Sequence, residues 1–189
     1  MRPAVIMSAL TVYREFQMDK PLIHFVHGKE SGPWGTKIRL LADIAREMGY
    51  DVESLDYSHT FDSAERVQML VASCKQRPPR LLAGSSMGGW VALDASAELK
   101  AMAGQCLKGL FLMAPAVDIP GYPPYRVGLE GDAIDIVHGW HDPLIPYTNA
   151  IAFAHEHHAT LHLVEDMHRL QNRLPQLGQY FRDFLIRMG

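Results

Sequence analysis

The sequence predicts a single α/β domain of about six mainly parallel strands with helices on both faces of the sheet. Short apolar runs alternate with amphipathic, helix-spaced runs from residue 21 to the end. Several of the apolar runs, such as "RLLAG" (80–84) and "LKGLFLMAPA" (107–116), are nearly continuous, as strands buried on both faces of a parallel sheet are. The chemistry-bearing residues His27, Ser85, Ser86, Asp118, His138 to Asp142 and Glu165 to His168 all come close after such runs. Open α/β sheets place their sites at these carboxyl ends.

Taken in order, "PLIHFVHG" (21–28) is a β-rich run that ends in glycine. In "TKIRLLADIAREMG" (36–49), Ile38, Leu41, Ile44, Ala45 and Met48 recur at helical spacing and Gly49 supplies a stop. "DVESLDY" (51–57) predicts a second strand. "DSAERVQMLVASCKQR" (62–77) predicts a helix that opens with Asp62 and Glu65 at capping-box spacing and is ended by Pro78 and Pro79. "RLLAG" is the third strand and "GGWVALDASAELK" (88–100) the helix after it. "LKGLFLMAPA", "AIDIVHG" (133–139) and "ATLHLVE" (159–165) are three more strands, the last two separated by a helix near 147–157. The final helix keeps Leu177, Tyr180, Phe181, Phe184 and Met188 on one face. The segment "VDIPGYPPYRVGLEGD" (117–132) is rich in proline and glycine and carries no helical pattern.

Length and composition fit one globule: 189 residues, 48% hydrophobic and 21% charged. The net charge of −3 and the lack of a basic block favour neither nucleic acid nor an anionic membrane as partner. No apolar run approaches the roughly 20 residues of a membrane span. Cys74 and Cys106 stand far apart in no pair motif, which fits a reducing, cytoplasmic setting. Residues 1–20 contain "AVIMSAL", which mimics a short signal core, but one arginine precedes it and no small-residue cleavage site comes after it. They are read as an N-terminal extension ahead of a domain spanning 21–189.

A serine hydroxyl is a weak nucleophile at neutral pH and needs a base, an orienter for that base and donors for the developing oxyanion. In "GSSMG", Gly84 and Gly88 stand two residues on either side of Ser86, giving G-x-S-x-G between a strand and a helix. That is the context in which a sharp turn exposes a nucleophile. Ser85 lacks the frame, because Ala83 and Met87 occupy the same offsets. A plain glycine-rich corner would use the same residues, but it would not need an acid and a histidine at the ends of later strands. This chain has both: Asp142 lies just past the strand 133–139, and His168 just past the strand 159–165. Asp118 is the other acid available, but the strand before Asp142 neighbours the one leading to the histidine. The order Ser86, Asp142, His168 is the one this kind of sheet uses for nucleophile, orienting acid and base. The oxyanion donors are then the backbone N–H groups of Met87 and Lys29, with Gly28 permitting the tight turn. His27 is read as a supporting residue.

These residues, in "FVHGKESG", "GSSMGG", "HGWHDPLIP" and "EDMHRL", resemble the α/β-hydrolase superfamily over the chain from about residue 21 onward. The likeness is greatest to small capless bacterial members such as YqiA-like esterases and dienelactone-hydrolase-like serine hydrolases. Dienelactone hydrolases proper use cysteine where this chain has Ser86. The resemblance implies a single-domain α/β-hydrolase fold without the leading antiparallel hairpin. It also implies no cap domain, because caps usually enter where 117–132 runs. An open, shallow site is expected, with Trp34, Tyr122, Tyr125 and Trp140 near its rim.

The function expected is a serine hydrolase acting on a small-molecule ester or thioester through an acyl-enzyme, with no cofactor. Two alternatives stay open: a non-catalytic binding protein with this fold, or another triad-dependent reaction such as acyl transfer or C–C hydrolysis. No metal site is expected. "HEHHATLH" (155–162) fails the H-E-x-x-H spacing, since Ala159 stands where the second histidine is needed. "HGKESGPWG" has neither the phosphate-loop nor the dinucleotide pattern.

Overall fold

The computed structural model describes residues 20–102 and 107–189. The expected N-terminal extension, Lys20 apart, and Cys106 lie outside the described residues. In chain order the elements are β1 (Leu22–Val26), α1 (Thr36–Glu47), β2 (Asp51–Ser54), α2 (Ser63–Gln76), β3 (Leu81–Ser85), α3 (Met87–Ala101), β4 (Gly109–Met113), β5 (Ile134–Gly139), α4 (Tyr147–Glu156), β6 (Thr160–Val164) and α5 (Leu174–Met188). The strands form one six-stranded sheet in the order β2–β1–β3–β4–β5–β6, and every pairing is parallel. The chain steps from β1 out to β2, returns past β1 to β3, and then grows outward to β6. The order therefore reverses between β1 and β3, the place where such sheets open a crevice at their carboxyl edge.

The two-residue period of a strand sorts the side chains between two cores. Ile23, Phe25, Leu81, Ala83, Phe111, Met113 and Val137 join the core under α1 and α5. Val26, Leu82, Leu110, Leu112, Ile134 and Ile136 join the core under α2, α3 and α4. With both faces covered, the central strands are buried along their whole length.

The ends of the elements obey local chemistry. Gly49 takes φ +89° after α1, a left-handed conformation that stops the helix. Asp62 caps α2 by accepting from the amides of Ala64 and Glu65. The reciprocal half of the expected capping box does not form: the Glu65 carboxylate bonds the Thr60 hydroxyl instead, and Thr60 Oγ1 receives the Asp62 amide at 3.1 Å. The strand expected over 51–57 stops at Ser54, because Asp56 turns the chain by accepting from Ser58 N at 2.8 Å and the Tyr57 amide donates to His27 Nε2 at 2.9 Å. Segment 117–132 carries no helix beyond the short turn Gly131–Ala133. It is strapped onto α3 by Arg126 on Asp94, by Trp90 Nε1–H on Pro123 O at 3.1 Å and by Gly128 N on Ser96 Oγ at 2.9 Å.

α5 closes the second core with Phe181, whose ring centroid lies 4.9 Å from Phe111 and 6.1 Å from Phe25. Truncating a fully buried phenylalanine removes its transfer free energy and leaves a cavity. Phe181→Ala should cost about 3–5 kcal/mol, read as a lower urea midpoint with an unchanged slope. A second expectation concerns pH. Burial pushes the imidazoles of His24 and His27 below their ordinary value. Unfolded histidines ionise near pH ~6.5, so the unfolded chain gains protons first as the pH falls. Stability is therefore lost below that value until the buried rings themselves protonate. The urea midpoint should drop between about pH 7 and about pH 5; a flat profile would contradict this account.

Candidate active site

β3 runs into α3 through Ser86, which sits at φ 55° and ψ −120°. A non-glycine residue in this region stores roughly 1–3 kcal/mol of strain and persists only when its surroundings hold it. Here they do. The Ser86 amide donates to Met113 O at 2.9 Å, and its carbonyl accepts from Gly89 N at 2.9 Å and Ala116 N at 3.1 Å. The flanking glycines are steric requirements: a Cβ on Gly84 would stand 2.4 Å from Gly88 O, and one on Gly88 would stand 2.1 Å from Val26 O. The backbone of β1 and the start of α3 are packed together at this corner, and the hydroxyl of Ser86 is lifted off the sheet edge.

The other two expected residues meet it there. His168 Nε2 lies 2.9 Å from Ser86 Oγ, and His168 Nδ1 lies 2.7 Å from Asp142 Oδ2. With Nδ1–H donating to the carboxylate, Nε2 is free to accept the serine proton. The Asp142 side chain is wholly buried and caps its own loop, accepting at Oδ1 from Leu144 N at 2.8 Å and Ile145 N at 2.9 Å. His138, also buried, brings Nε2 to 3.0 Å from Ile145 O and 3.3 Å from Asp142 Oδ2. An N–H shared between these two oxygens satisfies both. Burial pushes the Asp142 pKa up, but the hydrogen bonds from His138, from His168 and from the Ile145 and Leu144 amides outweigh it and hold the carboxyl well below the usual carboxylate range. Asp118 is exposed and bonds Tyr125 at 3.3 Å.

The loop after β1 closes against the turn: a Cβ on Gly28 would lie 3.2 Å from Ser85 O and 3.4 Å from Ser86 Cβ. This brings Lys29 beside the serine, and the Met87 amide heads α3, where N–H groups lack intrahelical partners. His27 supports the loop as a neutral ring, donating Nδ1–H to Gly28 O at 2.7 Å and accepting the Tyr57 amide at Nε2. A cavity of about 430 Å³ opens onto Ser86 and His168, with Lys29, Lys37, Ile119, Tyr122 and Leu144 in its walls. Of the expected rim aromatics, Tyr122 lines this cavity, and Tyr125 borders a shallower depression beside it. Trp34 and Trp140 line neither. Trp34 packs on the α1–α5 core beneath the Arg46 guanidinium, and Trp140 meets Tyr147 edge-on at 4.9 Å. The histidines of 155–162 scatter: His157 packs on Phe153, His162 stacks on Tyr180, and His155 and His158 are exposed.

Four supporting residues were given no individual role by the sequence reading, although His138 and Asp166 fell within its clusters of chemistry-bearing residues. His138 braces Asp142. Asp166 pins the His168 loop by accepting from Met167 N, from Asn172 N at 2.8 Å and from Arg173 N at 3.0 Å. Arg66, fully buried, donates to the carbonyls of Thr60, Tyr57, His27 and Gly28. Lys37, in the first turn of α1, faces the cavity. Burial pulls its pKa down to about 8, against the opposing influence of Asp142 and Asp166. Both cations had a visible signature: each stands four residues before a buried leucine of its helix, Leu41 or Leu70, and so on the apolar stripe.

A doubly covered parallel sheet with a strained serine in a tight strand-to-helix turn at its carboxyl edge defines the class as an α/β protein of the open parallel-sheet kind. No family model and no curated protein matches the chain. Solved structures do. A protein from Xanthomonas campestris pv. campestris, described as a hydrolase of the alpha/beta superfamily, is 30% identical over 89% of this chain and 99% of its own, with a TM-score of 0.77. A lidless α/β serine hydrolase from Xanthomonas campestris is 21% identical over 89% of this chain and 82% of its own, with a TM-score of 0.68. Est1E from Butyrivibrio proteoclasticus is 17% identical over 89% of this chain and 88% of its own, with a TM-score of 0.72. The first of these places the chain in the alpha/beta hydrolase superfamily, and where a cap would enter, at 117–132, the chain has only the short turn Gly131–Ala133. Among the described residues no helix is long and apolar enough to cross a membrane.

Removing the Asp166 carboxylate leaves three loop amides without their acceptor. Asp166→Ala should cost roughly 1–3 kcal/mol, and amides 167–173 should exchange hydrogen faster than those of the sheet. Unchanged exchange in that loop would show that Asp166 does not anchor it.

Proposed function

We propose that this hydrolase cleaves carboxylic esters or thioesters through an acyl-enzyme on Ser86. The observation that carries the reading is the continuous relay from Ser86 Oγ to His168 Nε2 at 2.9 Å and from His168 Nδ1 to Asp142 Oδ2 at 2.7 Å. As Ser86 Oγ attacks the carbonyl carbon, its proton passes to His168 Nε2. Asp142 holds the ring in the Nδ1–H tautomer and stabilises the imidazolium that forms. The Met87 and Lys29 amides receive the negative charge on the former carbonyl oxygen. Collapse of the tetrahedral intermediate breaks the bond to the leaving group, which takes the proton from His168, and leaves an ester on Ser86. Water then repeats the sequence, with His168 as base, and releases the acid.

A cavity of about 430 Å³ lies within the range of small-molecule sites. Est1E, alike in fold, holds ferulic acid, and a small acid or ester of comparable kind is the ligand class proposed for this chain. The relay uses side chains alone and calls on no cofactor. The buried free thiol of Cys74 fits a reducing, cytoplasmic setting. A non-catalytic role in binding is disfavoured because all three side chains stand within hydrogen-bond reach.

The experiment is labelling with a fluorophosphonate, then ester kinetics. Wild type should label and Ser86→Ala should not. Asp142→Asn should lower kcat by about 10³–10⁴-fold, because the base is then held in the wrong tautomer. Folded wild-type protein that resists the probe, or equal labelling of Ser86→Ala, would sink the assignment.

A further inference from the structure

Resting on the ester-hydrolase reading, we propose that the cleft selects esters carrying an anionic group a few atoms from the scissile carbonyl, with Lys37 receiving that group.

The charges around the cavity single out Lys37. Four charged side chains line it: Lys29, Glu30, Lys37 and Arg169. Glu30 and Arg169 face each other at 3.6 Å on the exposed rim. Lys29 is exposed and lies over the Phe61 ring at 5.1 Å. Lys37 is partly buried, and among the described residues it has neither a hydrogen bond nor an ion pair. The two carboxylates nearest in its electrostatic surroundings are Asp142 and Asp166, and both are already taken. Asp142 accepts from two histidines and two amides. Asp166 accepts from three loop amides and the Asn172 side chain.

A partly buried ammonium without a counter-ion is less well compensated than one free in water. A ligand anion entering the cavity would supply the missing partner, in a site where reduced solvent strengthens the attraction. Other parts of the lining are of another kind: Ile119, Tyr122, Leu144 and Ile145 present apolar surface. The cavity that holds Ser86 therefore offers both apolar surface and a cation. The complementary substrate is amphiphilic, with a hydrocarbon portion against Ile119 and Tyr122 and a carboxylate, or a chemically equivalent anion, against Lys37.

Two substrate pairs test this and report which side of the ester carries the charge. The acyl pair is para-nitrophenyl pentanoate and mono-para-nitrophenyl glutarate, matched in chain length and differing by methyl against carboxylate. The leaving-group pair is para-nitrophenyl acetate and its ring-carboxylated analogue. In wild type, kcat/KM for the charged member of one pair should exceed that of its neutral partner by about tenfold, chiefly through KM. In Lys37→Met that ratio should fall to near one, and Lys37→Arg should restore it. The wild-type preference should also fade as the pH rises through about 8, where Lys37 loses its proton under the influence of Asp142, Asp166 and Arg169. In Lys37→Arg it should persist. Ratios near one for both pairs in wild type, or a preference that survives Lys37→Met, overturn the subsite while fluorophosphonate labelling of Ser86 keeps the hydrolase reading intact. No turnover of any ester together with no labelling overturns both.

Discussion

The left-handed turn at Ser86 is the constraint on which the rest of the molecule depends. It puts one residue in a conformation that its own side chain disfavours, and it does so where β1, β3, β4 and α3 converge. The turn survives because its amide and carbonyl are fixed from β4 and from the segment just after it, and because Gly84 and Gly88 let the backbones of α3 and β1 approach to distances no Cβ allows. Two covered sheet faces supply the rigidity. With β1, β3 and β4 buried throughout, the corner has no slack in which Ser86 could relax to an ordinary helical or extended geometry.

Around that corner, two buried charges of opposite sign shape the loops. Asp142 draws donors inward: the amides of its own turn, the His168 ring and the His138 ring. Arg66 draws acceptors inward: the carbonyls of the β1–α1 and β2–α2 loops. With the carbonyls of His27 and Gly28 turned toward the guanidinium, the backbone leading into Lys29 is held in place. Charge–dipole bonds of this kind are stronger than neutral ones, and here they organise irregular backbone that no sheet or helix ladder would hold.

The strands, the helices and the three relay residues were legible because each rests on a repeating pattern or a fixed chain order. Ser86 is framed by glycines, and Asp142 and His168 each come directly after a buried run. The aromatic rim was only half legible. Trp34 and Tyr122 look alike in a sequence, but the side of the sheet on which each loop folds back decides whether its ring meets the cleft or a core. The supporting residues were hidden for a related reason. His138 and Asp166 act through single hydrogen bonds to loop atoms, which leave no periodicity. Lys37 and Arg66 did break one, as cations on an apolar helical stripe, and such a break is readable once it is sought. The end of β2 was misplaced because an Asx turn at Asp56 overrides a β-rich composition.

The strap of 117–132 has a kinetic meaning. It is tied to α3 through Asp94, Trp90 and Ser96, and to α4 by the Asn149 side chain on the carbonyls of Val117 and Asp118. Enzymes that shut a lid over a reactive intermediate exclude solvent and so choose the acceptor. An acyl group on Ser86 of this chain would instead stand in continuous exchange with bulk water at roughly 55 M, and solvent would outcompete any alcohol or amine that did not bind in its own right.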